Sequence, residues 1–466
     1  VIIKNKTKLQ GIALVGTLLA ACAAPTPTAA PKPNDAPKPA APVAAPTTAP
    51  AVAPAAGIPA VTCKAPDVSK PTTVALLGNK FGIMEHYARA LQACQNANIK
   101  VNVEWLAGAD LTAKENASMS AGTSPYDIIQ PPDGRFVEYA AKGWLHDLTP
   151  LVNKYKDQYK LGDIPDPMWA AASYNGKIYG VPLLQNMQIL FYRKDIFDEL
   201  KLKPPTTYDE LIEVSKKIME AKKTPYAYAA VWKKGGDFSA EFSNWLQSYD
   251  GQWFDKDAKP TFNSDKGVAA AKKMAEVLQY MPPDTLNMDT NGAMIAFQQE
   301  QVAMVNIWIT RGARINDPKE SKVVGKVGYA PSPSSKVGGV PGGTWARDFY
   351  AITKNSANDP ETVFKMIMEA TSAENQRTGG GLGFVPRANV AAEPDVVKAN
   401  PYTEAVLAAI KQGAKSGPLV PYYSIGRTPV GNIVADALAT KGDLAAALNK
   451  SVDEATKELK DKGFIK

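Results

Sequence analysis

Between Thr72 and Ile129, short apolar runs alternate with stretches of helical period. Thr72–Leu77 predicts a first strand, and Gly82–Ala97 predicts a helix whose apolar positions include Ile83, Tyr87, Ala90 and Leu91. Val101, Val103 and Trp105 alternate with polar residues as a second strand does. After a further helix, Tyr126–Ile129 predicts a third strand that ends in Gln130-Pro131-Pro132-Asp133. Strands separated by helical lengths imply a parallel, doubly wound α/β sheet. Ligands of such sheets bind beyond the C-terminal strand ends, where Asn79, Glu85, Asp133 and Arg135 fall.

Residues 175–211 read as a shaped connection between two packed bodies. Asn175-Gly176 signals a turn, Ile178–Leu184 is apolar with Pro182 inside it, and Ile189–Tyr192 predicts a short buried strand. Pro204-Pro205 breaks the chain before Thr207, which with Glu210 forms a capping box. The helix it opens buries Leu211, Val214 and Ile218. From Tyr226 to Trp253 aromatic residues are so frequent that many must be core. Helices are expected over 264–278 and 293–299, and strands over 302–308 and 327–331. A turn with Gly338-Gly339 and Gly342-Gly343 leads to the strand-like Thr344–Ile352. Further helices are expected over 359–370, 403–412, 430–438 and 452–462. Ser451 and Glu454 are read as a capping box for the last, and Gly463 as its stop.

The first residues have another pattern. Lys4, Lys6 and Lys8 precede the apolar run Ile12–Leu19, which is the layout of an export signal and is too short to span a bilayer. Leu19-Ala20-Ala21-Cys22 resembles the lipobox of bacterial lipoproteins, which implies a signal peptide over 1–21 and acylation of Cys22. From Ala23 to about Pro66 the chain is Ala, Pro and Thr with hardly an aromatic, so 22–66 is expected to be a semi-rigid tether. In an oxidising compartment Cys63 and Cys94 can pair if the first strand and helix run antiparallel, and two buried free thiols are the alternative.

Composition narrows the function. The formal charge of +7 falls to +4 once the three signal lysines are set aside, and the remaining lysines are scattered, which gives nucleic-acid binding little support. Two histidines and the lack of any CxxC or HExxH spacing argue against a histidine-built metal site. His86 and His146 read as surface or cap residues. The GGGLGF run at 379–384 lacks the Gly-Lys-Ser/Thr ending of a phosphate loop and reads as hinge or cleft wall.

From Thr72 onward the chain resembles the solute-binding proteins of ABC importers, in the extracellular carbohydrate-binding family that includes maltose-binding protein. The resemblance is carried by Asp133-Gly134-Arg135-Phe136 with Tyr139 and Gly143, by NGKIYGVP at 175–182, and by LFYRKDIF at 190–197. PPTTYDEL at 204–211 and AMVNIWI at 303–309 complete it. It implies a two-lobed periplasmic-binding-protein fold, each lobe a sheet flanked by helices, closing over a ligand by hinge motion. The crossings would fall near Pro182, Val327–Pro331 and Gly379–Gly383. One lobe would then hold 67–182 and 328–378, and the other 183–327 and 379–466.

The resemblance also implies ligand residues. Asp133 and Arg135 resemble the family's sugar-binding Asp-Arg pair, with Gly134 inserted between them. Gln185 or Asn186 stands where the family has an acidic residue, and Trp308 where it has a stacking tryptophan. Trp345 offers a second stacking face, and of Arg347 and Asp348 at most one faces the ligand if they lie in a regular strand. These features imply a monomeric, membrane-anchored receptor that takes a carbohydrate or polyol, uses no cofactor and delivers to a permease. A non-sugar solute such as a peptide or polyamine is the second reading. A glycosidase built on Glu85, Asp133 and Asp348 and a structural envelope lipoprotein are remoter readings.

Overall fold

The computed structural model describes residues 59–131 and 135–466, which lie within one unit, Ile58–Lys466. Cys22, the signal segment and Asp133 lie outside the described residues.

The strands are β1 (Thr72–Gly78), β2 (Ile99–Trp105), β3 (Ile128–Ile129), β4 (Ser173–Tyr174), β5 (Lys177–Ile178) and β6 (Val181–Arg193). They continue with β7 (Tyr226–Ala230), β8 (Val302–Trp308), β9 (Val327–Ala330) and β10 (Trp345–Ile352). β4 and β5 form a small hairpin. The others join in the order β2-β1-β3-β10-β6-β8-β7, with β9 also on β6. β1 is parallel to β2 and β3, as the strand–helix alternation predicts.

Apolar packing falls into two bodies along this path. At the β1 end, Val74 and Leu76 pack with Ile83, Tyr87 and Leu91 of the helix Gly82–Gln92 and with Phe364 and Ile367 of the helix Pro360–Ala370. Leu77, Ile129, Phe136 and Tyr139 cover the other face. At the β7 end, Tyr228 and Met304 pack against Tyr208, Trp232, Phe242 and Trp245, while Phe191 and Val305 pack against Phe297 and Tyr402. Each body is therefore a sheet covered by helices on both faces, and the fold is two-lobed. The aromatic stretch is core, as expected: Tyr208 and Trp245 stack with ring centroids 3.7 Å apart.

β6 and β10 connect the bodies. Val181, Leu183 and Leu184 pack in the first core, whereas Met187, Ile189 and Leu190 pack in the second. Their antiparallel pairing sets Gln185 against Arg347, Asn186 against Ala346 and Met187 against Trp345, with a register shift between Asp348 and Phe349. Leu190–Arg193 then pairs with β9. Val327–Ala330 thus belongs to the second body's sheet, and the return crossing runs along β10 instead, because β9 finds its edge on β6 before the chain turns back.

Several local readings hold. Thr207 and Glu210 exchange both capping-box bonds, and Cys63 and Cys94 form a disulfide with Cα atoms 5.1 Å apart. Gly463 adopts φ 75° just past the last helix. Three differ. The first helix ends at Gln92. The last begins at Leu444, capped by Asp443, so Ser451 lies mid-helix and bonds the Ala447 carbonyl. His86 is fully buried, its Nε2 2.7 Å from the Asn375 carbonyl, because the helix it rides packs beneath the segment Ala373–Thr378.

Candidate ligand-binding cleft

The strand ends of the first body meet the connecting ribbon through a chain of polar contacts. Gln130, at the end of β3, accepts the Asn79 backbone N–H at 3.0 Å and donates its Nε2 to Asp348 Oδ1 at 2.9 Å. This amide bridge fixes Asp348 toward the first body. One residue earlier, Arg347 lies over the Trp345 ring with its guanidinium carbon 4.5 Å from the centroid, and its Nη1 donates to Ser416 Oγ at 3.4 Å. The alternation of a strand separates the two neighbours: Arg347 goes with Trp345 and the second body, Asp348 with Gln130 and the first.

Opposite them on the ribbon, the Gln185 backbone pairs with Phe384, whose carbonyl accepts its N–H at 2.8 Å. Asn186 is buried, its Nδ2 3.5 Å from Thr310 Oγ1 and its Oδ1 without a partner among the described residues. Trp308 ends β8 and is partly buried, with its backbone opposite Gln188 and heading the short turn Ile309–Arg311. Arg311 extends from that turn until its guanidinium carbon stands 5.5 Å from the centroid of Phe81, a residue of the first body. Burial pulls the Arg311 guanidinium down to about 10, and Arg314 adds to this while Asp348 and Asp289 oppose it.

Of the residues expected from sequence, Asn79, Gln185, Asn186, Trp345, Arg347 and Asp348 converge where the ribbon passes between the bodies. Glu85 does not join them: it pairs with Lys80 at 3.4 Å on the helix Gly82–Gln92. Arg135 precedes the helix Phe136–Ala141, and its charge is felt inside the first body. There burial pushes the Glu115 carboxyl up to about 8, against the opposing Tyr139 hydroxyl 3.1 Å away and Arg135 itself. The sequence alone did not mark Gln130, Arg311, Thr310 or Phe81 as site residues. Gln130 adjoins Asp133 at a strand end and Arg311 follows Trp308 by three residues, so both lay beside positions already singled out.

Behind the ribbon a buried polar cluster holds it in place. Gln188 donates to Glu241 Oε1 at 2.5 Å and accepts from Asn244 Nδ2 at 2.7 Å, while Thr344 donates its hydroxyl to Asn244. Ser332 Oγ bonds Asn306 Oδ1 at 2.6 Å and the Gln188 carbonyl at 3.2 Å. A Cβ on Gly343 would lie 2.2 Å from that carbonyl, so only glycine lets the turn before β10 pack this closely. A further bond joins the bodies directly: Ser424 of the second donates to Glu138 of the first at 2.9 Å.

Amides, guanidinium groups and a carboxylate beside an indole face offer both donors and acceptors to a ligand with many hydroxyls, and a platform for its carbon skeleton. Two α/β lobes sharing crossing strands, with such groups at the crossing, define a solute-binding receptor. The chain belongs to the bacterial extracellular solute-binding protein family, which it matches over residues 82–377. It is 26% identical over 428 residues to the mannitol-binding protein of Pseudomonas aeruginosa, covering 84% of this chain and 94% of that one. A Sinorhizobium fredii periplasmic-binding protein named for amino-acid ABC transport is 27% identical over 244 residues, and the match spans only about half of either chain (51% and 54%). The fold matches that of an ABC-transporter solute-binding protein from Agrobacterium radiobacter K84 in complex with ribitol. That match has a TM-score of 0.74 and 24% identity, over 84% of this chain and 99% of that one. Among the described residues no helix is long and apolar enough to cross a membrane.

Proposed function

We propose that this protein is the substrate-capturing receptor of an ABC importer, binding a polyol or small carbohydrate between its lobes and handing it to the permease. The observation that carries the reading is the convergence of Asn186, Trp345, Arg347 and Asp348 on the ribbon joining the lobes. The mannitol-binding relative supports the substrate class. In this reading β6 crosses near 184–187 and β10 near 345–349, so one lobe holds about 59–184 and 349–399 and the other about 185–348 and 400–466. The placement of Arg387, whose Nη atoms donate to the Tyr159 and Lys160 carbonyls, favours giving 379–399 to the first lobe. Cys22 carries the lipid anchor and 23–58 the tether, the receptor acts as a monomer, and transport energy comes from the partner ATPase. It performs no catalysis itself.

The test is a thermal-shift panel of polyols, sugars, uronates, amino acids, peptides and polyamines on the purified protein. A ligand at about 100 times its Kd stabilises by ~2.7 kcal/mol and raises the melting temperature by a few degrees. The expected hit is a polyol or sugar. A shift only with amino acids, peptides or polyamines overturns the substrate class.

A further inference from the structure

Arg311 is a cation where the lobes meet, and among the described residues it makes no ion pair, although Asp348 and Asp289 act on its charge. Its side chain is partly exposed, but Nε is sealed from solvent and has no hydrogen-bond partner among the described residues. Among the described residues, the carboxylates that act on its charge, and the acid of its own loop, are engaged elsewhere. Asp348 accepts from Gln130 at 2.9 Å. Asp289 caps the helix Thr290–Gln298, taking the Asn291 and Gly292 N–H groups. Glu320, the nearby acid of the same loop, pairs with Arg314 at 2.8 Å. A half-dry guanidinium with no acceptor is costly, whereas a charge-assisted bidentate bond to a carboxylate repays that cost.

The surroundings leave an opening for such a group. The Phe81 ring lies under the guanidinium, its centroid 5.5 Å from the guanidinium carbon, and contributes no acceptor of its own. Phe81 also stands at the start of the eleven-residue helix Gly82–Gln92, whose N-terminal dipole favours negative charge in the same place. Thr310, the preceding residue, accepts from Asn186 of the ribbon at 3.5 Å, so Arg311 is held at the ribbon's edge, within electrostatic reach of Asp348. A ligand whose hydroxyls occupy the ribbon could thus place a terminal acid on Arg311.

Resting on the receptor reading above, we infer that Arg311 makes the cleft selective for polyols or sugars that carry a carboxylate, that is, aldonic or uronic acids. The acid group takes the guanidinium edge and the hydroxyls take the ribbon's amides. Arg311 is then the residue that separates these anions from neutral polyols of the same skeleton.

Calorimetric titration with two matched pairs tests this: mannitol against mannonate, and glucose against glucuronate. The acid of at least one pair is expected to bind about 10- to 100-fold more tightly than its neutral partner, the usual range for a hydrogen bond to a charged group. Arg311→Gln should abolish that preference, weakening the acid about 10-fold or more beyond any loss suffered by its neutral partner. Arg311→Lys, which keeps the charge and loses the fork, should retain part of it. Neutral ligands binding as tightly as the acids, or Arg311→Gln weakening both members of a pair equally, would overturn the inference and leave the polyol receptor standing. If none of the four binds the native protein, the inference fails, and a hit outside the polyols and sugars in the wider panel then shows that the receptor reading has failed with it. The preference of the native protein decides the matter even if the Gln variant folds poorly.

Discussion

Glu241 sits at the centre of the polar cluster behind the ribbon, fully buried and bonded to Gln188. Burial pushes its carboxyl up to about 8, the nearby Asp237 adds to this, and the bond from Gln188 opposes it. The unfolded chain therefore releases this proton near pH 4.5, while the folded one keeps it until about pH 8. Across that interval the native state binds more protons than the unfolded state, so stability falls as pH rises, by up to ~1.4 kcal/mol per unit for each such group. Glu115 behaves alike. The buried His86 works in the opposite sense, but only below its ordinary value of 6.5, because burial and then Arg89 lower its affinity for a proton. Chemical denaturation between about pH 6.5 and 8 should thus show stability declining with pH. Glu241→Gln should remove about half of that slope. An unchanged slope in the variant would mean that Glu241 is already ionised in the folded protein.

At the scale of elements, the disulfide ties the segment before β1 to the end of the helix Gly82–Gln92, closing a loop with a sequence separation of 31. Replacing both cysteines by serine should cost about 3–4 kcal/mol through the freedom returned to the unfolded chain. A urea midpoint that does not move would count against this. Much of this level was legible in the sequence. β8, the capping box at Thr207 and the strand–helix alternation up to β3 all rest on local signals: period, turn chemistry and capping. The misreadings share one physical origin. Ser451 and Glu454 have the spacing of a capping box, yet the helix starts at Leu444 because Leu448, Ala455 and Leu459 pack as one stripe through that point. The end of β9 looked like a crossing because a proline and a glycine-rich turn follow it, whereas its partner strand was 134 to 140 residues earlier in the chain. Local pattern does not encode which distant edge a short strand will join.

For the whole molecule, the candidate site is assembled from segments that only the fold brings together: the ends of β1 and β3, the middle of β6 and β10, and the turn after β8. Family resemblance pointed to Asp133, Arg135, Gln185 or Asn186, and Trp308, while turn and strand-end signals pointed to Trp345, Arg347 and Asp348. Neither could reveal that Gln130 would bridge Asn79 to Asp348, or that Arg311 would reach from one lobe to an aromatic ring of the other. Those are consequences of how the lobes meet. Ser424 bonded to Glu138 adds a further direct contact between the lobes.

The most direct test of the account is a calorimetric titration of the native protein and its Asp348→Ala variant with the polyol or sugar that gives the largest thermal shift. The account predicts one site per chain in the native protein and binding weakened about 10-fold or more in the variant, since truncation also frees Gln130 from its place. Equal affinity in the two proteins, with the variant folded, would put the solute elsewhere and contradict a cleft centred on the crossing strands.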